Sequence, residues 1–395
     1  MKPVKKRKNK RKNKSLLKKF VILIAVLVAA FTSVYTVSHF FGTMPITGII
    51  TSVRAHITGD DGDLFPIHIS TVNTILADSY DDGFFVLTDT DIKIYDFTGK
   101  EKLVKEHKYT SPAVTKGKYG TFLYDRSGTK YMLLKGSKEV EQGESNYGDI
   151  LTAAVGRRGN KAFSVRGSDA TSKMYVVNRQ GKEIFVWNCA YLHTTSIALS
   201  DNGKYVAAAC VGAKDGDVVS TVYIFGFQYS EELYTHTFEG ETILKIKYLS
   251  NRLLYIFTDG GIYTVKGNKE LTKQKGYYRP ELGFYSDAKN AVSALVMTKY
   301  GGNNIYELNI SNRKGNIVLT KEINANVLSL NTNGKYVFIL ADKSILVYNL
   351  KGEIVNEIKT DKRYEKLFGS SRHIFLCSAD KIEREFTQSL EKGNE

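Results

Sequence analysis

The residues able to do chemistry are few and widely spaced along the 395-residue chain. None of its histidines lies in an HExxH or HxH motif or at ligand spacing from a cysteine, so the sequence does not support a metal site. The histidines are His39, His56, His68, His107, His193, His236 and His373. No Gly-x-Ser-x-Gly elbow, Walker A loop or G-x-G-x-x-G follows a strand. The sequence therefore lacks the motifs that usually position a catalytic serine or bind a nucleotide. We therefore predict no catalytic, cofactor-binding or metal-binding residues.

Two acidic clusters offer carboxylate oxygens to a cation such as Ca²⁺. Asp60-Asp61-Gly62-Asp63 lacks the spaced ligands and the distal glutamate of an EF-hand loop. We interpret it as part of a solvated linker. Asp215-Gly216-Asp217 is interpreted as a polar hairpin loop joining two strands.

The cysteines do not form a disulfide framework. Cys189, Cys210 and Cys377 are odd in number and include no CxxC or CxxxC pair. Cys210 lies inside the apolar run 205–211, and Cys377 follows an apolar pair, positions where cysteine behaves as a small buried hydrophobe. A Cys189–Cys210 disulfide is the disfavoured alternative.

Positive charge is concentrated near the N-terminus. The chain has 56 Lys plus Arg against 41 Asp plus Glu, a formal charge of +15. Residues 1–59 hold 12 Lys or Arg and no acid, which leaves +3 for residues 60–395. This count places the excess charge in a tail rather than on a surface and argues against a nucleic-acid partner.

The basic segment is followed by a predicted membrane span. Residues 20–41 contain no Asp, Glu, Lys or Arg, and as a helix they would reach about 33 Å, enough for a bilayer core of about 30 Å. The positive-inside rule then keeps the N-terminus in the cytoplasm, near anionic lipid headgroups, and places the rest outside the cell. The alternative is a cleaved signal peptide with Thr36-Val37-Ser38 as its cleavage site. The anchor is favoured because the apolar stretch continues past that site.

A repeat of about 42 residues organises the rest of the chain. Its first signature is an apolar run, then Asp, Asn or Lys, then a turn glycine: Gly99, Gly136, Gly181, Gly267, Gly315 and Gly352. The interval between Gly181 and Gly267 is about twice the length of the repeat, which implies a diverged turn near Phe225-Gly226-Phe227. Its second signature is a two-residue hairpin, clearest at Asn202-Gly203 and Asn333-Gly334.

The repeat predicts a β-propeller. Runs 205–211 and 336–341 are apolar on consecutive residues, which indicates strands buried on both faces, whereas 91–95 alternates. Four-stranded antiparallel sheets packed around an axis produce this pattern. We predict an all-β fold with eight blades, or alternatively seven, preceded by a single transmembrane α-helix. The last unit lacks room for a fourth strand, so Leu64–Ser70 is expected to supply it and close the ring.

The sequence resembles a bacterial membrane-anchored family of unknown function with a WD-like or quinoprotein-like propeller. The resemblance is carried by the Lys-rich start, the apolar span, the segment Gly59 to Ile67 that contains Phe65-Pro66, and the repeats. It implies fold and location, and no activity. The expected organisation is a basic cytoplasmic tail at 1–19, a transmembrane helix at 20–41, a linker at 42–63, the propeller at 64–386 and a polar tail at 387–395.

These features predict a binding or scaffolding module in the cell envelope, directed at an unknown protein or glycan, without catalysis or cofactor. The alternative is a quinoprotein-like dehydrogenase or another propeller enzyme that acts on an extracellular small molecule or sugar. Quinoproteins lock their blades with recurrent tryptophans, and this chain has only Trp187. An acid-lined central channel would favour the enzyme, and an apolar channel the binding module.

Overall fold

The computed structural model describes residues 64–386 except 71–73, 81–82, 168–169, 230, 278–282, 289–291, 300–304, 361–362 and 371. The regular elements described are 32 β-strands in eight four-stranded antiparallel sheets. The predicted tail, transmembrane helix and linker, residues 1–63, and the polar tail 387–395 lie outside the described residues. In the described part of the chain, no helix is long and apolar enough to cross a bilayer.

The chain begins with β1 (Ile67–His68), which belongs to the last blade. Blade 1 contains β2 (Thr74–Tyr80), β3 (Gly83–Thr88), β4 (Asp91–Asp96) and β5 (Glu101–Glu106), and blade 2 contains β6 (Pro112–Lys116), β7 (Thr121–Asp125), β8 (Lys130–Lys135) and β9 (Lys138–Glu144). Blade 3 contains β10 (Ile150–Val155), β11 (Lys161–Arg166), β12 (Ser172–Val177) and β13 (Glu183–Cys189), and blade 4 contains β14 (His193–Leu199), β15 (Tyr205–Lys214), β16 (Asp217–Gly226) and β17 (Glu232–Glu239). Blade 5 contains β18 (Ile243–Ser250), β19 (Leu253–Thr258), β20 (Gly261–Lys266) and β21 (Glu270–Gly276), and blade 6 contains β22 (Gly283–Asp287), β23 (Ser293–Thr298), β24 (Ile305–Ser311) and β25 (Ile317–Asn324). Blade 7 contains β26 (Val327–Thr332), β27 (Tyr336–Ala341), β28 (Ser344–Asn349) and β29 (Ile354–Lys359), and blade 8 contains β30 (Lys366–Gly369), β31 (His373–Cys377) and β32 (Lys381–Phe386) together with β1.

The sheets form a closed ring, which confirms the eight-bladed prediction over the seven-bladed alternative. In each of blades 1 to 7 the four strands follow one another in sequence order. The first strands of successive blades lie side by side, as β10 does with β14 and β26 with β30, and β2 lies beside β30. These first strands therefore surround the central channel, and the fourth strands lie outermost.

Burial follows position within the blade. Every described residue of β7 and β19 is buried, because neighbouring blades cover both faces of a second strand. The outermost strand β9 alternates between exposed and half-buried residues. Aromatic contacts join the blades: the Phe122 and Phe163 rings, in blades 2 and 3, meet edge to face with centroids 5.6 Å apart. Truncating such a ring to alanine costs about 3–5 kcal/mol.

The N-terminal strand closes the ring, as predicted for Leu64–Ser70. Ile67 pairs with Ile382 and His68 with Lys381, so β1 becomes the fourth strand of blade 8. The seam between blades 8 and 1 is also packed with aromatic rings, since the centroid of Phe84 lies 4.6 Å from that of Phe375. The closure covers a sheet edge that the three strands of the last unit would otherwise expose.

Candidate functional site

The loops of the propeller divide between two faces. Because neighbouring strands run antiparallel, loops joining first to second and third to fourth strands lie on one face, which we call the basic face. Loops joining second to third strands, and one blade to the next, lie on the opposite face. Loops carry most binding and catalytic residues of a scaffold fold, so both faces are candidate sites.

The basic face is densely cationic. Its described loop residues include fourteen Lys or Arg, all with exposed side chains, and only three Asp or Glu. The cations are Lys100, Lys118, Arg157, Arg158, Arg179, Lys182, Lys204, Arg252, Lys269, Arg313, Lys314, Lys335, Lys351 and Arg372, and the acids are Asp201, Glu231 and Glu353. A face of this composition attracts anions over a distance of about one Debye length, roughly 8–10 Å.

The opposite face has the reverse balance. Its described loop residues comprise five basic and eight acidic side chains: Lys108, Arg126, Lys299, Lys343 and Arg363 against Asp89, Asp149, Asp215, Glu241, Asp259, Asp342, Glu365 and Asp380. The net charge of +3 for residues 60–395 thus conceals a strong polarity between the faces. The excess charge of the whole chain still lies in residues 1–59, and the described loops add a difference in charge between the two faces.

The turns between third and fourth strands present cations in a repeated geometry. In blades 1, 3, 6 and 7 an Asp or Asn next to the end of the third strand accepts two backbone N–H groups of the turn. In blade 6 the Asn312 Oδ1 lies 2.9 Å from the Lys314 nitrogen and 3.2 Å from the Asn316 nitrogen. Gly315 then adopts a φ of 76°, which glycine reaches without a Cβ clash. Arg313 and Lys314, between the Asn312 cap and Gly315, are left in solvent.

All six turn glycines found in the sequence have positive φ and lie on this face: Gly99, Gly136, Gly181, Gly267, Gly315 and Gly352. The diverged turn expected near Phe225-Gly226-Phe227 lies between β16 and β17, at the corresponding position of blade 4. Gly203 and Gly334 occupy the predicted hairpins between first and second strands, also with positive φ. The repeat signatures therefore mark the basic face specifically.

Contacts between blades hold the loops of this face. The Lys118 ammonium pairs with the Asp201 carboxylate, which connects the hairpins of blades 2 and 4. The Asn202 backbone nitrogen donates to the Asn251 Oδ1 at 2.8 Å, connecting blades 4 and 5. These links hold exposed cations in fixed relative positions, as a preformed binding surface requires.

The central channel contains a second group of charges. The ionised side chains on the eight innermost strands, whose described residues include every position of β2, β6, β10, β14, β18, β22, β26 and β30, form what we call the channel cluster: Asp78, Lys116, Lys245, Lys247, Asp287 and Lys366. The Lys116 Nζ lies 2.6 Å from the Asp78 Oδ2, and Lys247 pairs with Asp287. The channel is therefore rich in lysine, which differs from both the acid-lined and the apolar channel expected for the two functional alternatives.

The histidines that the structure describes are scattered over several blades. His68 lies in the closing strand, and His107, His193, His236 and His373 belong to blades 1, 4, 4 and 8 or the loops that follow. His39 and His56 lie outside the described residues. Across the described residues, no three His, Cys, Asp or Glu side chains come close enough to hold a metal ion.

The cysteines are present as thiols. Cys189 and Cys210 are buried at the interface of blades 3 and 4 with their sulfur atoms 3.9 Å apart, and Cys377 is half-buried. The contact with Cys189, together with burial, raises the pKa of the Cys210 thiol. Asp215 and Gly216 form the hairpin between β15 and β16, as expected, whereas Asp60-Asp61-Gly62-Asp63 lies outside the described residues.

The tryptophan and many of the strand tyrosines pack in the core. Trp187 packs between blades 3 and 4, with its ring centroid 4.9 Å from those of Tyr223 and Phe225. Tyr95, Tyr263 and Tyr348 are buried. Tyr205, Tyr223 and Tyr336 are partly buried against the hydrophobic clusters. These six strand tyrosines therefore contribute to the packing between blades.

Fold and charge together define the chain as an eight-bladed β-propeller with faces of opposite electrostatic character. Residues 67–384 match the family described as "Family of unknown function (DUF5711)", and the chain belongs to that family. A search of the curated proteins finds no match.

Solved structures with a similar fold are only distantly related in sequence. A eukaryotic initiation factor shares 12% identity with a TM-score of 0.55, over 81% of this chain and 86% of that one. BamB from Moraxella catarrhalis shares 12% identity with a TM-score of 0.49, over 81% and 99%. Apo AztD from Citrobacter koseri shares 12% with a TM-score of 0.49, over 75% and 88%. At this identity the likeness to the initiation factor supports the fold alone.

Proposed function

We propose that this protein is a membrane-anchored, extracytoplasmic binding module whose basic face binds an acidic partner in the cell envelope. The observation that carries this proposal is the excess of fourteen exposed cations over three acids among the described loop residues of one face. Electrostatic complementarity of this kind speeds association and selects against wrong partners. The partner is a protein or a wall glycan with clustered carboxylate, sulfate or phosphate groups.

The amino-acid sequence supports a membrane-anchored topology. Residues 20–41 contain no Asp, Glu, Lys or Arg, and eleven Lys or Arg precede them. The positive-inside rule then favours a single-pass protein with a cytoplasmic N-terminus and an extracytoplasmic propeller.

We propose no catalysis. A lysine-rich channel does not supply the convergent carboxylates that an oxidoreductase of the quinoprotein type would use to hold Ca²⁺ and abstract protons. The enzyme alternative is tested by adding a pyrroloquinoline quinone cofactor and Ca²⁺ to the purified protein with alcohols and sugars. We expect no dye-linked oxidation, and turnover above the boiled control would replace the binding proposal with the enzyme.

The binding proposal is tested with the full-length protein in detergent and two anionic probes, dextran sulfate and vesicles containing phosphatidylglycerol. The variant Arg157→Glu/Arg158→Glu/Arg313→Glu/Lys314→Glu reverses four exposed charges of the basic face. Since each exposed ion pair contributes about 0.2–1 kcal/mol, we expect dextran sulfate binding to fall by about 100-fold.

A matched control reverses four exposed charges on the opposite face: Lys108→Glu/Arg126→Glu/Lys343→Glu/Arg363→Glu. Both variants change the net charge equally, so binding that follows net charge alone would fall equally in both. We expect the control to bind within about twofold of the natural protein. Equal losses would refute a localised site, and binding of the vesicles but not the polymer would identify the lipid surface as the partner.

A further inference from the structure

Cations and tyrosines contact one another along part of the basic face. The Arg179 guanidinium of blade 3 lies over the Tyr119 ring of blade 2, with its Cζ atom 5.5 Å from the ring centroid, and the Lys135 Nζ lies 5.0 Å from the same centroid. The Arg252 guanidinium of blade 5 lies 6.0 Å from the centroid of the Tyr205 ring of blade 4 and donates to the Tyr205 hydroxyl at 3.3 Å. Each of these arginines is therefore held by a tyrosine of the preceding blade.

The loops of blades 2 to 5 also pack against one another. An added Cβ on Gly159, in the hairpin of blade 3, would lie 3.2 Å from the Tyr119 Cζ and 3.4 Å from the Arg179 Cγ. An added Cβ on Gly203, in the hairpin of blade 4, would lie 3.4 Å from the Arg158 Cδ. Together with the ion pair between the hairpins of blades 2 and 4 and the hydrogen bond between blades 4 and 5, these contacts join the four loops into one row.

We call the exposed loop cations of this row the cationic arc: Lys118, Arg158, Arg179, Lys204 and Arg252. Packed sheets lie roughly 10 Å apart, so four successive blades cover roughly 30 Å. Lys118 pairs with the Asp201 carboxylate. Among the residues that the structure describes, no carboxylate lies within ion-pair distance of the other four cations, which therefore remain available to an anionic partner.

The composition of the arc favours a polymer over a folded protein. The described loops that carry it, residues 117–120, 156–160, 178–182, 200–204 and 251–252, expose no large hydrophobic side chain. Protein interfaces usually surround an apolar core with a polar rim, and the arc has no such core. A linear chain with one anion per repeating unit needs only a row of cations, and each further repeat adds a contact.

Building on the proposed function of the basic face, we propose that the cationic arc is its binding site and that the partner is an extended glycan with one anionic group per repeating unit. An arginine stacked on a tyrosine keeps most of its edge N–H groups free to bind an oxyanion in a bidentate manner. Because the loops already contact one another, little further ordering is needed when the chain binds.

The test measures fluorescence anisotropy with the full-length protein in detergent and two series of end-labelled oligomers of increasing length, oligogalacturonates and glycerol phosphate oligomers. We expect at least one series to bind with an affinity that rises with chain length and levels off once the chain spans the arc. The variant Arg158→Gln/Arg179→Gln/Arg252→Gln removes three charges of the arc, and we expect it to weaken binding of the long oligomers by about 30-fold.

A matched control removes three exposed charges from turns of blades 6 and 7 on the same face: Arg313→Gln/Lys314→Gln/Lys351→Gln. We expect it to bind the oligomers within about twofold of the natural protein. Equal losses in the two variants would overturn the arc while leaving the basic face as a binding surface. If the natural protein binds neither the oligomers nor dextran sulfate, the proposed function itself fails. Binding of phosphatidylglycerol vesicles without binding of either oligomer series would assign the face to lipid and overturn the glycan.

Substitutions of Tyr119 test whether the ring positions the arginine above it. Tyr119→Leu removes the ring that Arg179 covers, and we expect it to weaken binding of the long oligomers by about threefold. Tyr119→Phe keeps the ring and should bind as the natural protein does. Equal weakening by the two substitutions would contradict a positioning role for the ring.

Discussion

The basic face and the opposite face are built from the same strands, yet they differ in charge and in loop construction. The basic face includes short turns capped by Asp or Asn and completed by glycine, and its described loops together expose fourteen cations. The opposite face has more acids than bases, and its loops include the protruding hairpin at Asp215–Gly216. Packing between blades does not require such a polarity. The difference shows that the repeated turns place cations on one face, whereas the packing of the blades is common to both.

Salt should affect the two faces very differently. Binding of dextran sulfate to the basic face releases condensed counterions, so with about four contacts the affinity should fall roughly 1,000-fold between about 0.05 M and 0.5 M salt. Fluorescence anisotropy with labelled polymer measures the slope. The opposite-face variant should keep the same slope, whereas the basic-face variant should flatten it. A salt-independent affinity in the natural protein would argue against an electrostatic surface.

Glycine substitutions should show that the turns of the two faces are packed differently. Gly315, on the basic face, has a φ of 76°, and an added Cβ would lie 2.7 Å from the Thr264 Cγ2 of blade 5. Gly216, on the opposite face, has a φ of 91° and open space around the same position. Both alanine variants incur the cost of positive φ, about 1–2 kcal/mol, and Gly315→Ala adds a steric clash.

Calorimetry of the two variants provides the comparison. We expect Gly315→Ala to lower the melting temperature by about twice as much as Gly216→Ala, whose own decrease should be roughly 2–4 °C. A larger effect at Gly216 would show that the hairpin of the opposite face is the more tightly constrained of the two.

The smallest predicted effect is the pH dependence that arises from two histidines, whose pKa values respond to the charges near each face. Burial, then Arg384 and Arg372, lowers the pKa of His373, which follows a basic-face loop, to about 4. Burial also lowers the pKa of His236, but there the opposite-face carboxylate of Glu241 acts against the shift. An unfolded histidine titrates near 6.5, so between about pH 6.5 and 4 the unfolded chain binds a proton that folded His373 does not. The free energy of unfolding should therefore fall as the pH falls through this window.

Histidine resonances in an NMR titration test the two fields separately. Arg372→Gln should move the pKa of His373 upward, and Glu241→Gln should move that of His236 further downward. Shifts in the same direction would mean that the two faces do not impose opposite local fields.

Much of the fold could be predicted from the sequence because its signals are local. The turn glycines and the Asn-Gly hairpins mark strand ends directly, and consecutive apolar residues mark strands covered on both faces. The ring closure by Leu64–Ser70 followed from counting strands in the last unit. The turns and buried strands required only neighbours within one repeat, and the closure required only a count of strands in the last unit.

The candidate sites could not be predicted in the same way. The cations after the turns were visible, as in Gly99-Lys100 and Gly181-Lys182, but summing residues 60–395 cancelled them against acids of the other face. Counting strands from the start of each blade would have assigned each turn to a face and revealed the difference in charge between the two faces. The channel cluster has no local signature, because Lys116, Lys245 and Lys366 lie on the innermost strands of different blades.

Photo-cross-linking in living cells tests the central claim most directly. A photoreactive amino acid is placed at position 314 on the basic face and, in a second strain, at position 343 on the opposite face, in the full-length protein. We predict adducts from position 314 that disappear when Arg157→Glu and Arg158→Glu are added, with none of the same adducts from position 343. Identical adducts from both positions, or adducts from position 314 that the charge reversals leave unchanged, would contradict the claim that the basic face is the binding surface.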